Sequence, residues 1–487
     1  MTQTRMATCL ALTALLAGGR IAAAAPAFAV RHLRLPLVGR TVVYVPAQPT
    51  TRVVLVVSGD GGWEPRVARI AEHLAPRMIV IGVPYPPLAR AAARRGGCWY
   101  VASDLELLSH QAQRLLNLPQ YTPPVLIGYA SGAAAVYAAL APAPAVTFAG
   151  AVSLAFSPDL PAARAVCRGE TWFPRYNAAR HDNALPPART LPKDWYVLQG
   201  AEDRVTPPAA IARFAAGMPR AHVIEVPGTG HGFARADRWA PALDRAVDAL
   251  WEEAERTPVP GRPPPPAIGA LEASLKRLGV PFEFRMPAAP EAFMVFLSGD
   301  GGWASIDQHV SERLMHDNIG VVGVSSLRYF WQKKTPAEVA SLLRAIVSTL
   351  AVEGKPIFAG GYSFGAEVVP VSLREWTPAE RRALSGLVLL APGFSATFEI
   401  NPLDWIREPK IHPRTMVAPA VRASGLPALC IQGAAETDSG CADLEHAPGV
   451  RVLRLRGGHH FGDHYAALAG SIVQFMRDHH PAGAGRP

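Results

Sequence analysis

The chain has 487 residues, 49% of them hydrophobic and 18% charged, which is enough apolar material for two ordinary cores and too much for one. Its formal net charge is +9, spread without a basic run or interleaved aromatics, so the pattern argues against nucleic-acid binding. Attraction to anionic phospholipid headgroups and plain colloidal solubility both fit that charge.

Residues 1–29 carry Arg5, an apolar stretch over 7–17, and small residues at Ala22, Ala23, Ala24, Ala25, Ala27 and Ala29. That layout predicts a secretory signal peptide. A membrane anchor needs about 20 uninterrupted apolar residues, and Gly18-Gly19-Arg20 interrupts this stretch. No later stretch is long and apolar enough to span a bilayer, so the expectation is an exported, soluble protein. Cys9 would leave with the signal, which keeps Cys98 and Cys167 in the first half and Cys430 and Cys441 in the second. One pair per half suits an oxidising compartment; four buried thiols are the alternative.

Thr257-Pro-Val-Pro-Gly-Arg-Pro-Pro-Pro-Pro266 forms neither helix nor central strand, because proline lacks the amide hydrogen. It reads as a linker at 257–266 between domains at 30–256 and 267–487. The same motifs recur in the same order on both sides of it. Val53-Val-Leu-Val-Val-Ser-Gly-Asp-Gly-Gly-Trp63 matches Phe293-Met-Val-Phe-Leu-Ser-Gly-Asp-Gly-Gly-Trp303, Gly128-Tyr-Ala-Ser-Gly132 matches Gly361-Tyr-Ser-Phe-Gly365, and Gly230-His-Gly-Phe233 matches Gly458-His-His-Phe461.

In the second half the strand candidates are 293–297, 320–324, 356–359, 386–390, 428–432 and 450–455. Helical patterns occupy 306–317, 336–350 and the stretch after Ser363. Apolar strands separated by helices predict an α/β fold, with a mainly parallel sheet covered by helices on both faces, built twice in tandem.

Gly361-Tyr362-Ser363-Phe364-Gly365 fits the strand-turn-helix elbow of a serine nucleophile. In the α/β-hydrolase order an acid and then a histidine follow the serine. The acid candidates are Asp438, preferred for its shorter side chain, and Glu436, which stands three residues after Gly433 as Asp203 does after Gly200. Alignment with His231 picks His459 over His460 as the base. The glycine loop 298–303 predicts oxyanion donors at Gly301 and Gly302, joined by the amide of Phe364. In the first half Ala130 stands at the nucleophile position and Ser131 falls one residue late, so that half reads as a pseudo-enzyme that packs, binds or positions. The pattern calls for no metal and no cofactor.

At Ser298-Gly-Asp-Gly-Gly-Trp303, Arg328-Tyr-Phe-Trp331, Gly361-Tyr-Ser-Phe-Gly-Ala-Glu367, Pro392-Gly-Phe394 and Gly457-Gly-His-His-Phe461, the second half resembles the AcvB/VirJ bacterial virulence-protein family. The two-unit layout is similar to the longer members, and the shorter members look like the second unit alone. The resemblance implies an α/β-hydrolase fold, a periplasmic location and hydrolysis of the aminoacyl ester of lysyl-phosphatidylglycerol. It also implies a triad carried to Ser363, Asp438 and His459, with Asp438-Ser-Gly-Cys441 similar to the family's acid loop. Two ammonium groups on such a substrate call for further carboxylates, and Asp300, Glu367 and Glu399 are the candidates. The partner expected is an aminoacylated phospholipid at a membrane surface, with secretion-system proteins as a second class. A general serine esterase or thioesterase and a non-catalytic type IV secretion adaptor are the competing readings.

Overall fold

Runs such as Val53–Val57 and Ile79–Val83 are apolar at every position, so they can be stable only with both faces covered. The computed structural model describes residues 26–479 except 96, 170, 256–265, 304, 401–414 and 464. In the first half the main sheet contains β1 (Phe28–Leu35), β2 (Gly39–Pro46), β3 (Val53–Val57), β4 (Ile79–Val83), β5 (Val125–Tyr129), β6 (Gly150–Leu154), β7 (Trp195–Gly200) and β8 (Ala221–Val226). They lie in the order β1-β2-β4-β3-β5-β6-β7-β8. β2 runs antiparallel to β1 and to β4, and the remaining pairs are parallel.

The second half repeats this plan with β9 (Phe282–Arg285), β10 (Ala292–Leu297), β11 (Ile319–Val324), β12 (Ile357–Tyr362), β13 (Gly386–Leu390), β14 (Ala428–Gly433) and β15 (Val450–Leu455). Their order is β9-β11-β10-β12-β13-β14-β15, with β9 antiparallel to β11 and, among the described residues, no counterpart of β1. Alternate residues of β10 feed different cores. Phe293, Val295 and Leu297 pack on one face, and Met294 and Phe296 on the other. Each such side chain, fully buried, contributes about 1.5–3 kcal/mol of transfer free energy.

The predicted strands of the second half recur within a few residues of their expected bounds. The short edge strand β9 and the helix Pro266–Arg277 are additions. That helix takes up Pro266, the last residue of the predicted linker, as a first-turn proline needing no amide partner. The rest of the linker lies outside the described residues. Most of the predicted signal peptide does too, although Phe28 and Ala29 already pair in β1. Among the described residues no helix is long and apolar enough to cross a membrane. Cys98 is bonded to Cys167 and Cys430 to Cys441.

The halves meet along a polar and aromatic seam. Arg114, in the helix Val101–Leu115, donates to the carbonyl of Trp331 (2.7 Å) and to that of Ile400, and its guanidinium lies 4.4 Å from the centre of the Trp331 ring. Trp331 Nε1 donates back to the Leu118 carbonyl (2.9 Å), Gln332 Nε2 donates to that of Pro119 (2.9 Å), and Tyr121 enters the core of the second half.

Candidate active site

β12 ends in an abrupt turn into the helix Phe364–Ser372. Ser363, at the turn, has φ 49° and ψ −116°, a strained conformation for a residue with a Cβ, held by its surroundings. A Cβ on Gly361 would lie 2.2 Å from the Leu297 carbonyl oxygen, and one on Gly365 2.0 Å from it. That closeness to β10 is why glycine stands on both sides of the serine.

His459 connects the serine to a carboxylate. Its Nε2 lies 2.9 Å from Ser363 Oγ, and its Nδ1 lies 2.6 Å from Glu436 Oε1. The other oxygen of Glu436 accepts the amide of Gly433 (2.7 Å), which anchors the carboxylate to the end of β14. The preference for Asp438 is therefore corrected: Asp438 lies on the exposed side of the loop, while Glu436 turns inward with a side chain only 7% exposed. The disulfide Cys430–Cys441 ties the start of this loop to its end. His460 is turned the other way, with Nδ1 2.9 Å from the Tyr362 hydroxyl, which also donates to the His459 carbonyl (3.2 Å).

The glycine loop differs from expectation in detail. The Gly302 amide is spent on the Gly299 carbonyl (3.1 Å), and the Gly301 amide serves the Asp300 carboxylate. Neither glycine presents its amide to Ser363. Gly299 is the loop residue that abuts the nucleophile position, where a Cβ would come 3.7 Å from Ser363 Cβ. Phe364 opens its helix directly after the serine, where first-turn amides have no intrahelical acceptor.

Of the three additional carboxylates, two converge near the elbow. Desolvation raises the pKa of Asp300, which also feels His459 and His460. Glu367 accepts the Gly393 amide (3.0 Å), and burial, reinforced by the charge of Asp300, pushes its pKa up to about 8. Glu399 is the exception: its carboxylate stands 3.8 Å from Arg114, in the seam between the halves.

The first half keeps the same framework without the hydroxyl. Ala130 has φ 53° and ψ −118°, and His231 Nδ1 lies 2.9 Å from Asp203 Oδ2. Asp203 is buried and also accepts the amides of Val205 and Thr206 (2.9 and 3.0 Å) and Gln199 Nε2 (2.8 Å). The Ser131 hydroxyl donates to Asp60. Among the described residues no group of three metal-binding side chains occurs.

By strand order and elbow, both halves are units of the α/β-hydrolase type. Residues 291–480 match the model of the family described as bacterial virulence protein (VirJ). No curated protein matches the chain. Similar solved structures include Est1E from Butyrivibrio proteoclasticus, at 13% identity and TM-score 0.31, over 41% of this chain and 93% of that one. Dienelactone hydrolase from Anabaena variabilis is similar at 15% identity and TM-score 0.31, over 40% and 90%. XC6422 from Xanthomonas campestris, described as an α/β serine hydrolase without a lid, is similar at 18% identity and TM-score 0.29, over 48% and 97%.

Proposed function

We propose that the chain is a serine hydrolase whose working site lies in the second half, and that its substrate is the aminoacyl ester of lysyl-phosphatidylglycerol. The continuous chain Ser363 Oγ, His459, Glu436 on a strained elbow carries the reading. Ser363 Oγ attacks the acyl carbonyl carbon as its proton passes to His459 Nε2. Glu436 holds the imidazole through Nδ1–H and stabilises the imidazolium that forms. The developing oxyanion is met by the amides of Phe364 and Gly299, the first at a helix N-terminus that favours negative charge. His459 then hands the proton to the departing glycerol oxygen of phosphatidylglycerol, and water repeats the sequence on the acyl-enzyme to release lysine.

The ester lies at the lipid headgroup, so an exported protein with a net charge of +9 can reach it from the water side of a membrane in the periplasm. The test is lysine release from vesicles containing lysyl-phosphatidylglycerol, alongside cleavage of a short-chain p-nitrophenyl ester, by the unmodified chain and by Ser363→Ala. Release that depends on Ser363 supports the proposal. Cleavage of the simple ester alone points to a general esterase. Turnover of neither substrate points to a non-catalytic secretion adaptor.

A further inference from the structure

The arginines of the first half are unevenly placed. Residues 85–100 and 156–192 carry eight of them against three acidic residues, and the two stretches form one face. The helix Tyr85–Arg94 runs on to Cys98, which is bonded to Cys167. The Trp99 amide donates to the Ala165 carbonyl (2.7 Å), the Cys167 amide to that of Trp99 (3.0 Å), and Arg164 to that of Ala93 (3.0 Å). Arg95 is paired with Asp104 and Arg180 with Asp182 (2.7 and 2.8 Å). Arg90, Arg94, Arg168, Arg175 and Arg189 are exposed, and none has an ion-pair partner among the described residues.

Two exposed rings stand among these cations. Phe173 is 56% exposed between the buried Trp172 and Pro174, and Tyr100 is 39% exposed. The Tyr100 hydroxyl donates to the Pro142 carbonyl (3.5 Å). A Cβ on Gly169, whose amide donates to the Trp172 carbonyl (2.8 Å), would lie 3.3 Å from the same proline. Pro142 therefore supports both rings. The second half leaves this face uncovered at that point. Its seam holds Arg114, in the last turn of the helix Val101–Leu115, whereas Tyr100 directly precedes the first residue of that helix, roughly 20 Å away along its axis.

We infer that this face docks the protein on an anionic phospholipid surface. Arginines close to such a surface are drawn to its phosphates, and each guanidinium can fork to two oxygens. An exposed phenyl ring between them enters the headgroup layer, and a tyrosine sits at its level. A nucleic-acid strand calls instead for a groove with ring faces in series, whereas this face gathers its two rings in one place, around Pro142. The inference goes beyond the hydrolase reading and does not rest on it, since docking needs no turnover.

The test is co-sedimentation of the full chain with phosphatidylglycerol vesicles and, as control, phosphatidylcholine vesicles. The unmodified chain should partition to the first and not to the second, and added salt should release it. Arg168→Glu together with Arg175→Glu is expected to weaken partition by about thirtyfold or more. The same change of charge at Arg69→Glu with Arg245→Glu falls on the helices Pro65–Leu74 and Ala236–Glu255, which pack on the opposite face of the sheet from Trp99 and Trp172. That control should stay within about threefold, because the distance is screened. Phe173→Ser should cost about tenfold, and Ser363→Ala should partition as the unmodified chain does, which separates docking from hydrolysis. No partition of the unmodified chain, equal partition to both lipids, or equal weakening by the two double variants overturns the inference. So does a chain that ignores vesicles and uses these arginines to bind a single-stranded DNA oligonucleotide or a second copy of itself.

Discussion

The two elbows differ by a few degrees in backbone angle and by one oxygen atom in chemistry. Ala130 and Ser363 share the same strained φ and ψ, and each half holds a histidine paired with a carboxylate. The strain is therefore a property of the β-strand-to-helix junction, enforced by the close approach to the neighbouring strand, and it outlasts the nucleophile it presents. At the elbows themselves, what separates the halves is the side chain at the turn and the identity of the carboxylate that holds the histidine, Asp203 in one and Glu436 in the other.

The largest effect expected on this comparison is from Ser363→Ala, which should lower ester hydrolysis on the order of 10⁶-fold while leaving the melting temperature nearly unchanged. Equal activity in the variant would move the chemistry to the first half. Next comes the acid. Glu436→Gln should reduce kcat by about ten-thousandfold, because the imidazole loses its tautomer and its counter-charge. Asp438→Asn should stay within about twofold, in line with a surface position. The reverse result would restore the acid chosen from sequence.

A smaller and more diagnostic effect concerns the first half. In a Ser363→Ala background, Ala130→Ser places a hydroxyl on the first elbow beside the His231–Asp203 pair. Slow labelling by a fluorophosphonate is expected there, above a parent that shows none. No labelling would mean that more than the hydroxyl has been lost.

The mildest prediction concerns stability. Glu367 titrates near 8 in the folded chain and near its ordinary value of about 4.3 when unfolded. Between these values the folded state binds more protons, so stability falls as pH rises through that window. Glu367→Gln removes this slope. Its melting temperature relative to the unmodified chain should rise by several degrees between pH 5 and pH 8, read by thermal scans in a common buffer series.

The second-half strands were legible because each is a continuous apolar run between glycines and helical patterns. β9 was not, since Phe282–Arg285 alternates apolar and charged residues, is half-buried, and is too short for that alternation to stand out. The repeat already held the acid: Asp203 and Glu436 both stand three residues after a glycine. The choice went wrong because the loop offers two carboxylates and sequence does not say which one turns inward. The glycine loop was found, but which of its amides stays available depends on the Gly299–Gly302 turn, a matter of coordinates. The contact of Arg114 with Trp331 carried no signal, since it follows from the docking of one half on the other.

That docking has a practical side. A fragment beginning after the proline-rich segment would uncover the indole of Trp331, otherwise buried, and return to water the carbonyls of Trp331 and Ile400 that Arg114 now occupies. Kinetic constants measured on an excised second half therefore describe a different molecule from the intact chain, and the difference between the two sets measures how far the first half takes part.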